Sequence, residues 1–134
     1  MDPNLSLSQM ILGTPKSIKA KSIFTKESID AKTSMIFEYA NGEVANLSCT
    51  MYDYQPNRAV ISGEEGWIEI DPTFYAPTTI KVIRRNQKEI KYEESYHGHG
   101  LREQALEMEN CLEKNYIEST KMTHSDSIAV MSIM

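Results

Sequence analysis

The chain has 134 residues, 40% of them hydrophobic and 25% charged, which suits one folded domain with its own core rather than a disordered segment. Its net charge of −5 argues against a nucleic-acid surface, and no apolar run approaches the length of a membrane span. Met1-Asp2-Pro3-Asn4 lacks the basic start of a secretory leader, and Cys49 and Cys111 read as small apolar groups rather than a disulfide, so a reducing cytoplasm is the expected compartment.

Leu5–Leu12 reads as a helix, with Leu5, Gln9 and Leu12 on one face. Gly13 is placed to end it in a left-handed conformation, and Pro15 prevents continuation. A helix this short is marginal alone, so it reads as the last turns of a longer one. Ser17–Thr25 and Ala31–Ala40 are strand-like, enriched in Ile, Phe, Thr and Tyr. Lys16, Lys19, Lys21 and Lys26 alternate along the first of these and read as a solvated strand edge.

Asn41-Gly42 predicts a two-residue type I′ turn leading into Glu43–Tyr52. That turn sets a register with Tyr39 opposite Val44, Phe37 opposite Asn46, Met35 opposite Ser48 and Ile36 opposite Leu47. Neither sheet face is then cleanly polar, so both are expected to be covered, one by helices and one by a second protomer. The runs 58–62 and 67–71 form a further hairpin around Gly63-Glu64-Glu65-Gly66. Thr79–Arg85 and Lys88–Glu93 form another around Asn86-Gln87. In the helical stretch Leu101–Lys114, Leu101, Ala105, Met108 and Leu112 make an apolar stripe. Thr123-His124-Ser125-Asp126 resembles a capping box opening a last helix, Ser127–Met134, which reads as cut within the element. The fold class is α+β: a largely antiparallel open sheet with helices on one face.

No G-x-G-x-x-G is present, so no dinucleotide-binding turn is expected. His97-Gly98-His99-Gly100 lacks the third glycine and reads as a helix entry. A metal at His97 and His99 would need further ligands, with His124 and Cys111 the distant candidates, and none is expected. Glu64 and Glu65 are adjacent in a turn, point apart and read as solvated. Ser125, His124 and Asp126 are consecutive and read as a cap, not a nucleophile set. Asp71-Pro72-Thr73-Phe74-Tyr75-Ala76-Pro77 is an aromatic crossover loop bracketed by prolines.

The order Leu12-Gly13-Thr14-Pro15, Phe37–Gly42, Ile61–Pro77 and His97–Ser119 resembles the C-terminal domain of the Gfo/Idh/MocA-type NAD(P)-dependent oxidoreductases, in their dihydrodiol dehydrogenase-like branch. The resemblance covers the chain from about Leu5. It implies a single C-terminal domain, residues 1–134, without the Rossmann cofactor domain, and so not catalytically competent alone. The parent protein would transfer hydride between NAD or NADP and a sugar, polyol or dihydrodiol-like substrate. This part would supply substrate-cleft residues and a homodimer surface through the sheet. By the same resemblance Phe74 or Tyr75 would line the cleft, and His97, His99 and Arg102 would lie near it. The family's catalytic lysine, in a Glu-Lys-Pro motif, and its Asp/His pair have no match here, so no catalytic residue is assigned. The rival reading is a sheet-dimerisation or binding module complete in itself.

Overall fold

The computed structural model describes residues 3–76, 79–93 and 102–134. Its elements run α1 (Pro3–Leu12), β1 (Ser17–Phe24), β2 (Asp30–Glu38), β3 (Val44–Thr50), β4 (Ala59–Gly63), β5 (Gly66–Ile70), β6 (Thr79–Arg84), β7 (Ile90–Glu93), α2 (Arg102–Glu113) and α3 (His124–Ile133). The α+β class and the antiparallel pairing agree with the sequence reading. The strands form two sheets, in the orders β1-β2-β3 and β4-β5-β6-β7. Each lies in its own compact unit, one built from the chain up to Tyr54 together with Glu118–Met134, the other from Gln55–Ile117.

In the first unit α1 ends as its sequence dictates. Gly13 sits at φ 74, and its N–H donates to the Gln9 carbonyl at 2.9 Å. The capping box of α3 is complete: the Thr123 side chain accepts from Asp126 N–H, and the Asp126 carboxylate accepts from Thr123 N–H.

The β2–β3 register differs from expectation by one residue. Phe37 lies opposite Ala45, Met35 opposite Leu47, and Thr33 opposite Cys49. Gly42 has φ 97, whereas Asn41 is not among the residues with positive φ, so a type I′ turn is excluded. Tyr39 N–H donates to Glu43 O at 3.0 Å and Gly42 N–H to Tyr39 O at 3.2 Å, which makes Ala40-Asn41-Gly42 a three-residue connection. The physical reason lies in the strands. A one-residue slip moves every β3 side chain to the other face. The expected register would set Phe37 against Asn46 and Met35 against Ser48; the observed one sets each against an apolar partner. Matching apolar faces outweighs the local preference of Asn-Gly for a shorter turn.

The corrected register also sorts the faces. Leu5, Phe37, Tyr39 and Val130 form the buried core, ringed by Leu12, Met35, Ala45, Leu47, Met122 and Ile133. Ser8 meets the Tyr39 hydroxyl inside it, oxygen to oxygen at 2.5 Å, which satisfies a buried phenol. On the outward face lie Lys32, Ser34, Glu38, Asn46 and Ser48, with Ile23, Ile36 and Val44 as exposed aliphatics among them. This sheet therefore has one wet face, contrary to the expectation that neither would be polar.

In the second unit β4–β7 form a meander. Directly paired residues share a face, so Ile61, Ile68, Val82 and Ile90 make one aliphatic row, and Ala59, Ile70, Ile80 and Tyr92 a second beside it. Gly66 is required by close approach: a Cβ there would stand 2.1 Å from the Ile83 carbonyl oxygen. The expected apolar stripe of α2 does not face inward. Ala105 is exposed, Met108 and Leu112 are 66% and 71% exposed, and the buried position is Cys111. Periodicity reports which side chains share a helix face; it does not supply a neighbour to cover them. Leu101, the first member of that stripe, lies outside the described residues.

Candidate functional site

The aromatic loop between β5 and β6 is the best-built candidate. Asp71 N–H donates to Thr79 O at 3.0 Å, closing the base of the loop. Lys81 Nζ donates to Asp71 Oδ1 at 2.6 Å, with both side chains about a quarter exposed. This hydrogen bond, with the Asp71 charge beside it, raises the Lys81 pKa above the ordinary lysine value. Beside it on the sheet, Arg58 pairs with Glu69 at 3.5 Å.

Further along, the Asn57 carbonyl accepts from both Thr73 N–H, at 2.7 Å, and Phe74 N–H, at 3.1 Å. Ala76 N–H donates back to Thr73 O at 2.8 Å. The loop is thus tied at its base and at its middle. Phe74 is half-buried and Tyr75 is 58% exposed. Their rings meet edge to face, with centroids 5.6 Å apart and planes at 79°. The pair offers a rigid apolar wall with a phenol at its rim, suited to the face of a small ring and one hydroxyl on it.

Of the residues the sequence singled out, the structure brings Phe74 and Tyr75 together. Arg102 is exposed at the first turn of α2. Among the described residues it joins neither ring by ion pair, hydrogen bond or ring contact. His97 and His99 lie outside the described residues. His124 Nδ1 lies 3.5 Å from Glu118 Oε2, and Asp126 caps α3. Hydrogen bonds from the Thr123 hydroxyl and N–H, and from Gln9, hold the Asp126 carboxyl below its ordinary pKa. Among the described residues no group of three His, Cys, Asp or Glu side chains could hold a metal. No described helix is long and apolar enough to cross a membrane.

Sequence reasoning missed a shallow groove at one end of the second sheet, lined by Glu64, Glu65, Arg84, Arg85 and the half-exposed Trp67. Two hairpin turns meet there, and Arg85 N–H donates to Glu65 O at 3.0 Å. Nothing in either turn alone signals the other. The missed clue in the aromatic loop is Asn57, whose carbonyl holds it from outside the proline bracket.

Comparison with known proteins bears on the chain and its fold. Residues 4–69 match the model of the GFO/IDH/MocA C-terminal domain. The trans-1,2-dihydrobenzene-1,2-diol dehydrogenase of Xenopus tropicalis is 34% identical over 128 residues, which is 90% of this chain and 38% of that protein. Among solved structures, a UDP-N-acetylglucosamine 3-dehydrogenase from Acidithiobacillus ferrooxidans superposes with a TM-score of 0.80 at 16% identity, over 97% of this chain and 41% of its own. An oxidoreductase from Agrobacterium radiobacter in complex with NAD+, L-tartaric acid and magnesium superposes with a TM-score of 0.68 at 15% identity, over 96% of this chain and 42% of its own. These last two likenesses concern fold alone, and the chain spans about two-fifths of each protein it matches. The antiparallel architecture, the match at residues 4–69 and the alignment across nine-tenths of its length agree in making the chain similar to the GFO/IDH/MocA C-terminal domain.

Proposed function

We propose that this chain is the substrate-binding and dimerisation part of an NAD(P)-dependent oxidoreductase acting on a dihydrodiol, sugar or polyol. The observation that carries the reading is the 34% identity to a trans-1,2-dihydrobenzene-1,2-diol dehydrogenase along 90% of the chain. NAD+ in a neighbour of the same fold supports the cofactor, which a separate domain would hold. Hydride transfer needs the carbinol carbon held against the nicotinamide while water is kept away. In this reading the Phe74–Tyr75 pair supplies an apolar wall, and Tyr75 and Arg102 offer polar groups to substrate hydroxyls. His97 and His99 belong to the same proposed set. That Cys49 and Cys111 are not joined in a disulfide suits a reducing cytoplasm.

The same reading makes the protein a homodimer through its sheet. The aliphatic rows of β4–β7 support that surface better than the first sheet, whose inward face meets α1 and whose outward face is mostly polar. Ile80, Ile90 and Tyr92 on those rows are 38%, 43% and 55% exposed. Isologous packing of this face would bury them. Sedimentation equilibrium should give twice the chain mass of 15.3 kDa, reverting to a folded monomer with Ile90→Lys. A monomeric wild-type chain would remove the dimer from the proposal.

The activity is tested by a chimera in which this chain replaces the matching segment of the Xenopus tropicalis dehydrogenase. The expected result is nicotinamide reduction with trans-1,2-dihydrobenzene-1,2-diol or with a sugar or polyol. A chimera that folds and binds cofactor yet turns over none of them would refute the reading.

A further inference from the structure

Four described non-glycine residues have positive φ: Ser28, Thr73, Asn86 and Asn115. Three of them have ordinary structural causes. Ser28 closes the β1–β2 hairpin, where its N–H donates to Thr25 O. Asn86 closes the β6–β7 hairpin, and Asn115 follows the last turn of α2. Asn tolerates this region, and a serine in a tight turn is compatible with it. Thr73, at φ 70, lies in the longer connection between the paired strands β5 and β6 and not at a helix end, and it is the β-branched residue of the four. A branched Cβ makes that conformation a genuine outlier, kept only where the surroundings over-determine it. Here they do. A left-handed residue turns successive N–H groups to one side, and those of Thr73 and Phe74 converge on the Asn57 carbonyl at 2.7 and 3.1 Å. Immediately after this anchor come the two rings set edge to face.

We propose that Thr73 is a positioning residue whose strained, doubly anchored backbone fixes the Phe74–Tyr75 pair as a preformed wall for a planar or near-planar six-membered ring bearing adjacent hydroxyls. The inference rests on the reading above that this loop borders the substrate. Ring order paid for in the backbone before binding leaves less to be lost when ligand arrives.

The probe is catechol, titrated into the full chain while Phe74 and Tyr75 ring signals are followed by NMR. Two variants separate strain from anchor. Thr73→Asn keeps both N–H groups and tolerates positive φ; Thr73→Pro removes one N–H and forbids positive φ. Wild type and Thr73→Asn should show the Phe74–Tyr75 ring cross-peaks and a saturable shift with catechol. Thr73→Pro should lose the cross-peaks and bind about tenfold more weakly, the size of one lost aromatic contact, while the β4–β7 amides keep their positions. Ring cross-peaks that survive in Thr73→Pro would overturn the positioning role and leave the substrate-wall reading standing. Rings that ignore catechol in the wild-type chain would instead overturn the wall reading, and the inference with it. Loss of order and binding in Thr73→Asn as severe as in Thr73→Pro would show that the threonine side chain, not the backbone conformation, does the work, and would also overturn it.

Discussion

The β2–β3 register can be tested with a reciprocal pair of substitutions on β3. In the observed register Leu47 lies opposite Met35 and packs on the Leu5–Phe37–Tyr39–Val130 cluster, while Asn46 lies opposite Ile36 on the wet face. Leu47→Asn removes most of a large apolar side chain from that cluster and places an amide among groups that cannot bond it. Leu→Ala changes in cores cost about 2–5 kcal/mol, and Leu47 is only half-buried, so about 2–3 kcal/mol is expected. Asn46→Leu adds an exposed apolar group and should stay within about 0.5 kcal/mol. Phe37→Ala, at a position 1% exposed, sets the upper mark at about 3–5 kcal/mol, a large share of a domain's total stability. Urea unfolding followed by far-UV circular dichroism reads the midpoints, and exchange of the β3 amides reports on the first unit specifically. In the register expected from Asn41-Gly42, the roles of positions 46 and 47 exchange. A stabilising Asn46→Leu with a neutral Leu47→Asn would therefore refute the face assignment.

Gly66→Ala should destabilise by about 1–3 kcal/mol, because its Cβ would meet Ile83 O at 2.1 Å and Arg84 Cα at 2.9 Å. Gly63→Ala, whose nearest such contact is 3.7 Å away, is the control, and equal midpoints for the two would sink the argument. Asp126, Glu38 and Asp53 all have depressed pKa values, from the Thr123 hydrogen bonds, the Ser17 hydroxyl and the Lys32 ammonium respectively. Carboxyls held low in the folded state stabilise above their unfolded values and lose that contribution as pH falls through the folded ones, so stability should decline below the ordinary 4.5 of Glu and 3.8 of Asp. Asp126→Asn should flatten part of that acid limb while weakening the cap at neutral pH; an unchanged acid slope would count against it. Titration of the chain alone with NADH or NADPH should release no heat up to millimolar cofactor, since no Gly-rich βα turn is present, and saturable micromolar binding would contradict the proposed division of labour.

Much of the architecture was legible because its signals are local. Gly13 ending α1, Thr123 and Asp126 opening α3, and Asn86 turning β6 into β7 each act through neighbours a few residues away. The register of β3 was not legible from its turn alone, because it is decided by Phe37, Met35 and Leu47 meeting across strands. The inward side of α2 was misread for a related reason: Ala105, Met108 and Leu112 line up on the helix, but what lies against them is a tertiary fact. At the candidate site the rings of Phe74 and Tyr75 could be picked out by residue type. The hold on them could not, since Asn57 and Lys81 reach the loop from other parts of the unit.

The core of the first unit draws on both ends of the chain. Leu5 and Phe37 come from its opening third, whereas Val130, fully buried against them, comes from α3. Gln55–Ile117 is an excursion between the two. During synthesis that excursion leaves the ribosome whole, with its hairpins joining near neighbours, and can close at once. The earlier sheet must wait, its apolar side covered by α1 alone, until the last helix emerges. A nascent chain stalled before Val130 would hold a finished insert inside an unfinished host, and it is the host's incompletely covered Phe37 face that a chaperone would meet.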